Sequence, residues 1–185
     1  MKIVFIDTEF TGEHAFTTLV SVGMVTLCGR ELEVNLNDYD EGQVTDWLKE
    51  NVIRYIDPES RVNSKVALEK VKNFLNEYRE GQQVHLVSAG KQSDVLLLFE
   101  LWAQDFPDMK YFHCLHCLPD YLNHVGHLDL QTMFFVAGIH YEIDREEFAG
   151  MKEGGRRHNA LYDAHVVRKC FLKLIEYKCF ENIKL

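Results

Sequence analysis

An α/β fold with a mixed central sheet flanked by helices is what this chain of 185 residues predicts. Three observations carry that expectation. Three strand-like segments come first, helices and strands alternate after them, and the opening strand is a continuous apolar run of the kind that sits buried on both faces. At roughly 150 residues per domain the length fits a single domain over 1–185, large enough to bury a core without disulfide or structural-metal support.

The first segment, Lys2-Ile-Val-Phe-Ile-Asp7, is rich in β-branched and aromatic residues and reads as a buried strand ending at its acid. Residues 18–27 and 30–36 follow with Cys28-Gly29 between them, which predicts an antiparallel hairpin. Residues 44–53 and 65–78 carry helix-spaced apolar side chains, separated by the Asp57-Pro58 breaker. A fourth strand is expected over 84–88, with a strongly apolar helix over 94–102 directly behind it. A fifth strand is expected over 111–114, after the Phe106-Pro107-Asp108 turn, and a further helix near Asp129. Residues 138–157 mix glycines with charges and read as a long loop with a short helix near Glu146, before a last helix over 159–177.

Composition excludes whole classes of function. With 46% hydrophobic and 12% aromatic residues the chain is globular and not intrinsically disordered. Its 29 acidic against 20 basic side chains leave a net charge of −9, which argues against a broad phosphate-coating surface but leaves room for a local site that takes a nucleic-acid end. Nothing approaches the roughly 18 apolar residues of a membrane span, and Asp7 interrupts the first apolar stretch too early for a secretion signal, so the chain reads as cytoplasmic. Five cysteines, an odd number, fit reduced thiols in a reducing compartment.

The candidate chemistry is carboxylate chemistry. Asp7 and Glu9 stand two apart at the end of the first strand, so their side chains leave the same face and could hold a hard cation. The pairs Asp57/Glu59 and Asp144/Glu146 have the same spacing but read as solvated loop pairs, because neither ends a buried strand. Asp94 follows the fourth strand at a helix start; if the first and fourth strands are parallel neighbours, it meets Asp7 and Glu9 beyond their carboxyl ends. Asp163 shares a helical stripe with Val167, Cys170 and Leu174, so its carboxylate should face inward and need a cation, hydrogen bonds or a proton. The alternative for Asp163 is a structural pairing with an arginine. His158 stands five residues before Asp163, behind the glycine-rich stretch 154–157, and an imidazole with an ordinary pKa near ~6.5 suits proton removal from water.

Taken together, Phe5-Ile-Asp7-Thr-Glu9-Phe-Thr11-Gly12, then Asp94, then His158-Asn-Ala-Leu-Tyr-Asp163 resembles the three motifs of the DEDDh 3′-to-5′ exonucleases, whose fold is RNase H-like. The residues Leu19-Val-Ser-Val-Gly23, Gly29-Arg30-Glu31 and Trp47 resemble the small bacterial and phage exoribonuclease branch of that family. One departure falls in the second motif, where Gly90 stands at a position that many members fill with asparagine; Asp105, Asp108 and Asp129 are the other acids weighed for the role of Asp94.

The resemblance implies a two-metal hydrolysis. Asp7, Glu9, Asp94 and Asp163 would hold two Mg²⁺ or Mn²⁺ ions, and His158 would take the proton of the attacking water. Phe10, Thr11 and Glu9 would contact the terminal nucleotide, with nucleoside monophosphates as products. It further implies a homodimer acting on RNA 3′ ends, and the negative net charge favours short single-stranded ends or 3′ overhangs over long duplexes. A single-stranded DNA exonuclease and a non-catalytic nucleic-acid-binding module of the same fold are the alternatives. Lys152, Arg156 and Arg157 are candidate phosphate contacts. His113-Cys114-Leu-His116-Cys117, with His124 and His127, is a candidate zinc set of imperfect spacing.

Overall fold

The computed structural model describes residues 1–90, 93–104, 118–123, 126–140, 142–151 and 156–183. Among them a six-stranded sheet runs in the order β4-β3-β2-β1-β5-β6. The strands are β1 (Lys2–Phe10), β2 (Leu19–Thr26), β3 (Glu31–Leu36), β4 (Arg61–Val62), β5 (Val84–Ser88) and β6 (Leu128–Asp129). β1 pairs antiparallel with β2, and β2 with β3; β1–β5, β5–β6 and β3–β4 are parallel, so the sheet is mixed. The helices are α1 (Asp46–Asn51), α2 (Ser64–Arg79), α3 (Ser93–Ala103), α4 (Asp120–Asn123), α5 (Leu130–Val136), α6 (Arg145–Ala149) and α7 (Ala160–Leu174).

β1 is the organising strand, and its alternation sorts the core into two layers. Val4 and Ile6 face one side and pack with α2 and α3 through Leu68, Val71, Leu75, Leu98 and Leu101. Ile3 and Phe5 face the other and pack with α5 and α7 through Leu130, Phe134, Val167, Phe171 and Leu174. Phe5 meets Phe171 with ring centroids 5.2 Å apart. On this register Asp7 and Glu9 continue the α7 face, whereas Thr8 continues the α3 face.

Several boundaries differ from the sequence expectation. β1 does not stop at Asp7 but runs to Phe10, because β2 continues to pair with it through Glu9↔Ser21 before the register shifts between Glu9 and Phe10. The helix expected over 44–53 shortens to α1 and a separate 3-10 turn, Ile53–Tyr55, and the last helix ends at Leu174. β4 and β6, two residues each, are too short to leave a periodic signal and exist only because a neighbouring strand pairs with them. The strand expected over 111–114 lies outside the described residues. The hairpin β2–β3 is as expected, its turn closed by Gly29 at φ +91° and the Thr26–Arg30 backbone bond of 2.8 Å.

α7 crosses the sheet at very close range. A Cβ placed on Gly23 of β2 would lie 2.1 Å from the Ala160 carbonyl carbon and oxygen in the first turn of α7. Gly23 is the register partner of Asp7, so this contact decides how near the start of α7 comes to the end of β1. Gly23→Ala is expected to cost about 2 kcal/mol or more, since backbone and not a flexible side chain would have to yield. Urea denaturation with an unchanged m-value and a lowered midpoint is the expected result.

Candidate active site

Both helical layers deliver a carboxylate to the carboxyl end of β1. From the α7 layer, Asp163 sits in the first turn of α7, one step before buried Ala164 and on the stripe of buried Val167, Cys170 and Leu174. Donor oxygens of Asp7, Glu9 and Asp163 all lie within 4.8 Å of one another. From the α3 layer, Asp94 reaches across to Thr8: its Oδ1 accepts from the Thr8 amide at 3.1 Å and from the Thr8 hydroxyl at 2.8 Å. β1 pairs with β5 only as far as Phe5↔Val87, so Thr8 lies beyond β5, and the 7% exposed Asp94 satisfies its amide in place of a strand. The adjacency of β1 and β5 that an Asp7–Asp94 meeting requires is therefore present. All four acids line one open cavity of about 910 Å³ together with Phe10, Thr11 and His158.

Burial and mutual repulsion make this a strained set of charges. Burial raises the Asp7 carboxyl well above its ordinary range, and Asp94, Asp163 and Glu9 raise it further. Glu9 is pushed from 4.5 to about 8, first by burial and then by Asp163 and Asp94. Burial lifts Asp94 to about 6 against the opposing Thr8 bonds, and raises Asp163 against the amide of His158. Arg145, at the start of α6, is the cation that eases Asp7, Asp94 and Asp163; its Nη1 is tethered to the Ala89 carbonyl at 2.9 Å.

His158 has φ +63°, a left-handed backbone rare for a side chain of its size. That conformation turns its amide onto Asp163 Oδ2 at 2.9 Å, while Asn159 caps α7 by accepting from the Tyr162 amide. Its imidazole lies exposed at the rim, edge-on to Trp47 at 4.8 Å between ring centroids. Trp47 is 53% exposed and lines the same cavity. Phe10 packs partly into the α2–α3 core. The Thr11 hydroxyl is already committed, donating to Gln43 Oε1 at 2.6 Å and accepting from the Thr18 amide at 2.9 Å.

The remaining candidates divide. Asp129, weighed as a substitute for Asp94, caps α5: its carboxylate accepts from the amides of Gly90, Gln131 and Thr132 and from the Thr132 hydroxyl. Asp105 and Asp108 lie outside the described residues, as do Lys152, His113–Cys117 and His124. His127 Nε2 is 2.9 Å from Ser88 Oγ. Arg157 is paired with Asp144 at 3.0 Å and with Glu146, while its side chain stays 57% exposed. The Asp144/Glu146 pair, read as solvated, is structural: Asp144 caps α6, and buried Glu146 also accepts from the Tyr162 hydroxyl. Arg156 lies flat on the Tyr55 ring, 3.1 Å from its centroid.

Sequence reading missed Thr8, Arg145 and the Trp47–His158 contact. Arg145 did leave a trace, since a cation in the first turn of a helix opposes the macrodipole and needs another reason to be there.

A family model for the Rv2179c-like 3′-5′ exoribonuclease domain matches residues 2–175. The chain belongs to the Rv2179c-like 3′-5′ exoribonuclease family. It is accordingly a 3′-5′ exonuclease domain. No curated protein sequence matches it. Among solved structures, Pop2p of S. pombe in its Mg²⁺- and Mn²⁺-bound form superposes with a TM-score of 0.70 at 14% identity, covering 98% of this chain and 86% of Pop2p. The zinc-bound E. coli ExoI–ssDNA complex gives 0.62 at 11% identity over 97% of this chain, which spans only 42% of ExoI. Cell-death related nuclease 4 (CRN-4) gives 0.55 at 12% identity, over 96% of this chain and 64% of the nuclease. At these identities the likeness is one of fold, the RNase H-like mixed sheet.

The raised carboxyls give the exonuclease a definite pH response in chelator. Folded Glu9 holds its proton to about pH 8, whereas the unfolded chain releases it near 4.5, so stability is full below that lower value and falls as pH rises through the window. Thermal melts in EDTA should therefore show Glu9→Gln more stable than wild type at pH 8 and indistinguishable near pH ~4. Asp129→Ala should lower stability by about 1–2 kcal/mol through the lost cap and leave nuclease activity within about twofold, measured below the melting range.

Proposed function

We propose that this domain is a metal-dependent exoribonuclease of the DEDDh type, which shortens single-stranded RNA or 3′ overhangs and releases nucleoside 5′-monophosphates. The observation that carries the reading is the convergence of Asp7, Glu9 and Asp163 oxygens within 4.8 Å, with Asp94 on the same cavity. The donor set fits a hard divalent cation. Every donor is a carboxylate oxygen, and the four acids are desolvated and short of positive charge, with Arg145 easing Asp7, Asp94 and Asp163 and Arg156 easing Glu9. Asp7, Glu9, Asp94 and Asp163 would hold two Mg²⁺ or Mn²⁺ ions, which when bound supply Lewis-acid stabilisation of the phosphate and a more acidic water. The Pop2p structure in its Mg²⁺- and Mn²⁺-bound form agrees with that choice of ions.

The side chains of the chain supply the rest. His158 accepts the proton of the attacking water at an imidazole nitrogen, from a backbone that its bond to Asp163 holds in place. Glu9 meets the terminal 3′ hydroxyl, which selects an end over an internal bond. Phe10 and Thr11 line the floor beneath the terminal nucleotide, Thr11 through its backbone and methyl because its hydroxyl is engaged. Arg156, whose charge reaches Glu9, meets a phosphate of the strand. A homodimer in the cytoplasm completes the proposal: exposed Phe135 and Val136 on α5 offer apolar surface, and the free thiols of Cys28, Cys170 and Cys179 suit a reducing compartment.

The test is digestion of a 3′-overhang RNA and its DNA counterpart with Mg²⁺, Mn²⁺ or EDTA, resolved at single-nucleotide length. A metal-dependent ladder shortening from the 3′ end is expected, with RNA preferred. Asp7→Asn should abolish it, and His158→Ala should lower kcat by about 10²-fold or more. Preferred cleavage of DNA would select the single-stranded DNA exonuclease, and binding without cleavage under either metal the non-catalytic module.

A further inference from the structure

A second cavity of about 540 Å³ lies beside the first, and His158 lines both. Its volume is that of a small-molecule site. Three features of its wall are unexplained by hydrolysis at the carboxylates. Asn35, on β3, is 8% exposed; its Nδ2 reaches Ser60 Oγ at 3.4 Å, but its Oδ1 is buried with no partner among the described residues. Such an acceptor awaits an N–H or O–H donor. Tyr55 is 51% exposed at the end of a 3-10 turn, and that turn is pinned by Arg61, whose Nη2 donates to the carbonyls of Ile53 at 3.1 Å and Ile56 at 3.2 Å. Arg156 covers the Tyr55 ring, which makes a flat cationic and aromatic shelf, and Lys70 adds a second positive side chain to the same wall.

This combination recognises a nucleotide. An aromatic ring with a guanidinium on it stacks bases of any sequence, half-buried Arg156 and exposed Lys70 supply positive charge for phosphate, and a buried amide oxygen pairs with a base amino group or a ribose hydroxyl. Three acids share the wall with these two cations: Glu33 accepts from Asn159 Nδ2 at 2.8 Å, Asp57 accepts from the Glu59 amide at 3.0 Å, and the carboxylate oxygens left over are acceptors for base amino groups.

Position supplies the remaining argument. The wall shared by the two cavities is the segment that carries His158, and Arg156 two residues earlier lines the second cavity while its charge reaches Glu9 in the first. The ring of His158 rests on Trp47, so the wall is braced. A phosphodiester passing from one cavity to the other would cross beside Arg156.

We propose that the second cavity is the subsite for the nucleotide immediately 5′ of the one removed, with its base on the Tyr55–Arg156 shelf and Asn35 Oδ1 as the acceptor for its donor group. The inference rests on the carboxylate cavity being the hydrolytic centre. It makes the domain a reader of at least two successive nucleotides, so an end whose penultimate unit is held in a duplex enters poorly.

The test compares three substrates: a single-stranded oligonucleotide, the same oligonucleotide with an abasic unit at the penultimate position, and the p-nitrophenyl ester of a nucleoside 5′-monophosphate, which lacks that nucleotide altogether. Tyr55→Ala is expected to lower kcat/KM about tenfold on the full oligonucleotide, mostly through KM, with Tyr55→Phe recovering most of it. On the abasic substrate the disadvantage of Tyr55→Ala should vanish, because the partner of the ring is gone. Lys70→Gln should weaken binding of the full oligonucleotide and flatten its salt dependence. Equal losses on all three substrates, or additive effects of the variant and the abasic unit, would overturn the subsite while leaving the hydrolytic centre intact. A wild-type protein inert toward the ester and the oligonucleotide alike would overturn the centre and the subsite with it.

Discussion

Like charges crowded at the end of one strand set the terms for the rest of this molecule. Burial disfavours the charged forms of Asp7, Glu9, Asp94 and Asp163, neighbouring acids raise Asp7, Glu9 and Asp94 further, and Arg145 eases Asp7, Asp94 and Asp163 while Arg156 eases Glu9. Such an arrangement persists only if the surrounding structure leaves the side chains nowhere else to go. Three contacts do that work: the backbone of α7 against Gly23, the Asp94 carboxylate on Thr8, and the amide of His158 on Asp163.

Each contact satisfies a local need as well as positioning an acid. Asp94 fills the hydrogen-bonding gap where β1 outruns β5, so its carboxylate is fixed by the geometry of a sheet and not by a flexible loop. Gly23 removes a side chain where a helix must approach a strand, directly opposite Asp7. The left-handed backbone of His158 is unfavourable by itself, and the bond it lends to Asp163 is the local return on that conformation. Rigid elements from both faces of the sheet thus hold the carboxylates, while His158 and Trp47 at the rim stay exposed.

The net charge of −9 finds its physical sense here. An acidic molecule holds long nucleic acid poorly by its surface, and its described cations near the site are few and individually placed: Arg145 among the acids, Arg156 on Tyr55, Arg157 locked by Asp144 and Glu146. On the proposed reading, recognition depends on fitting an end into the cavity more than on coating a backbone.

Much of the fold was legible because its signals are local. The apolar run of β1, the Cys28-Gly29 hairpin and the stripe Asp163, Val167, Cys170, Leu174 each follow from periodicity or turn chemistry within a few residues. The acids of the site were legible for the same reason, since strand ends and helix starts are written in the sequence. What pairing and packing alone decided is everything that depends on a distant partner: the two-residue strands β4 and β6, the extension of β1 to Phe10, the structural part played by Asp144 and Glu146, and the contact of Trp47 with His158. Asp129 and Asp94 make the point most sharply. Both stand where a strand gives way to a helix, yet Asp129 spends its carboxylate on the amides of its own helix start and on Gly90, whereas Asp94 reaches Thr8 beside Asp7. By itself the sequence determined which acids stood at strand and helix ends; the order of strands in the sheet decided which of them met, because only that order sets which ends are neighbours.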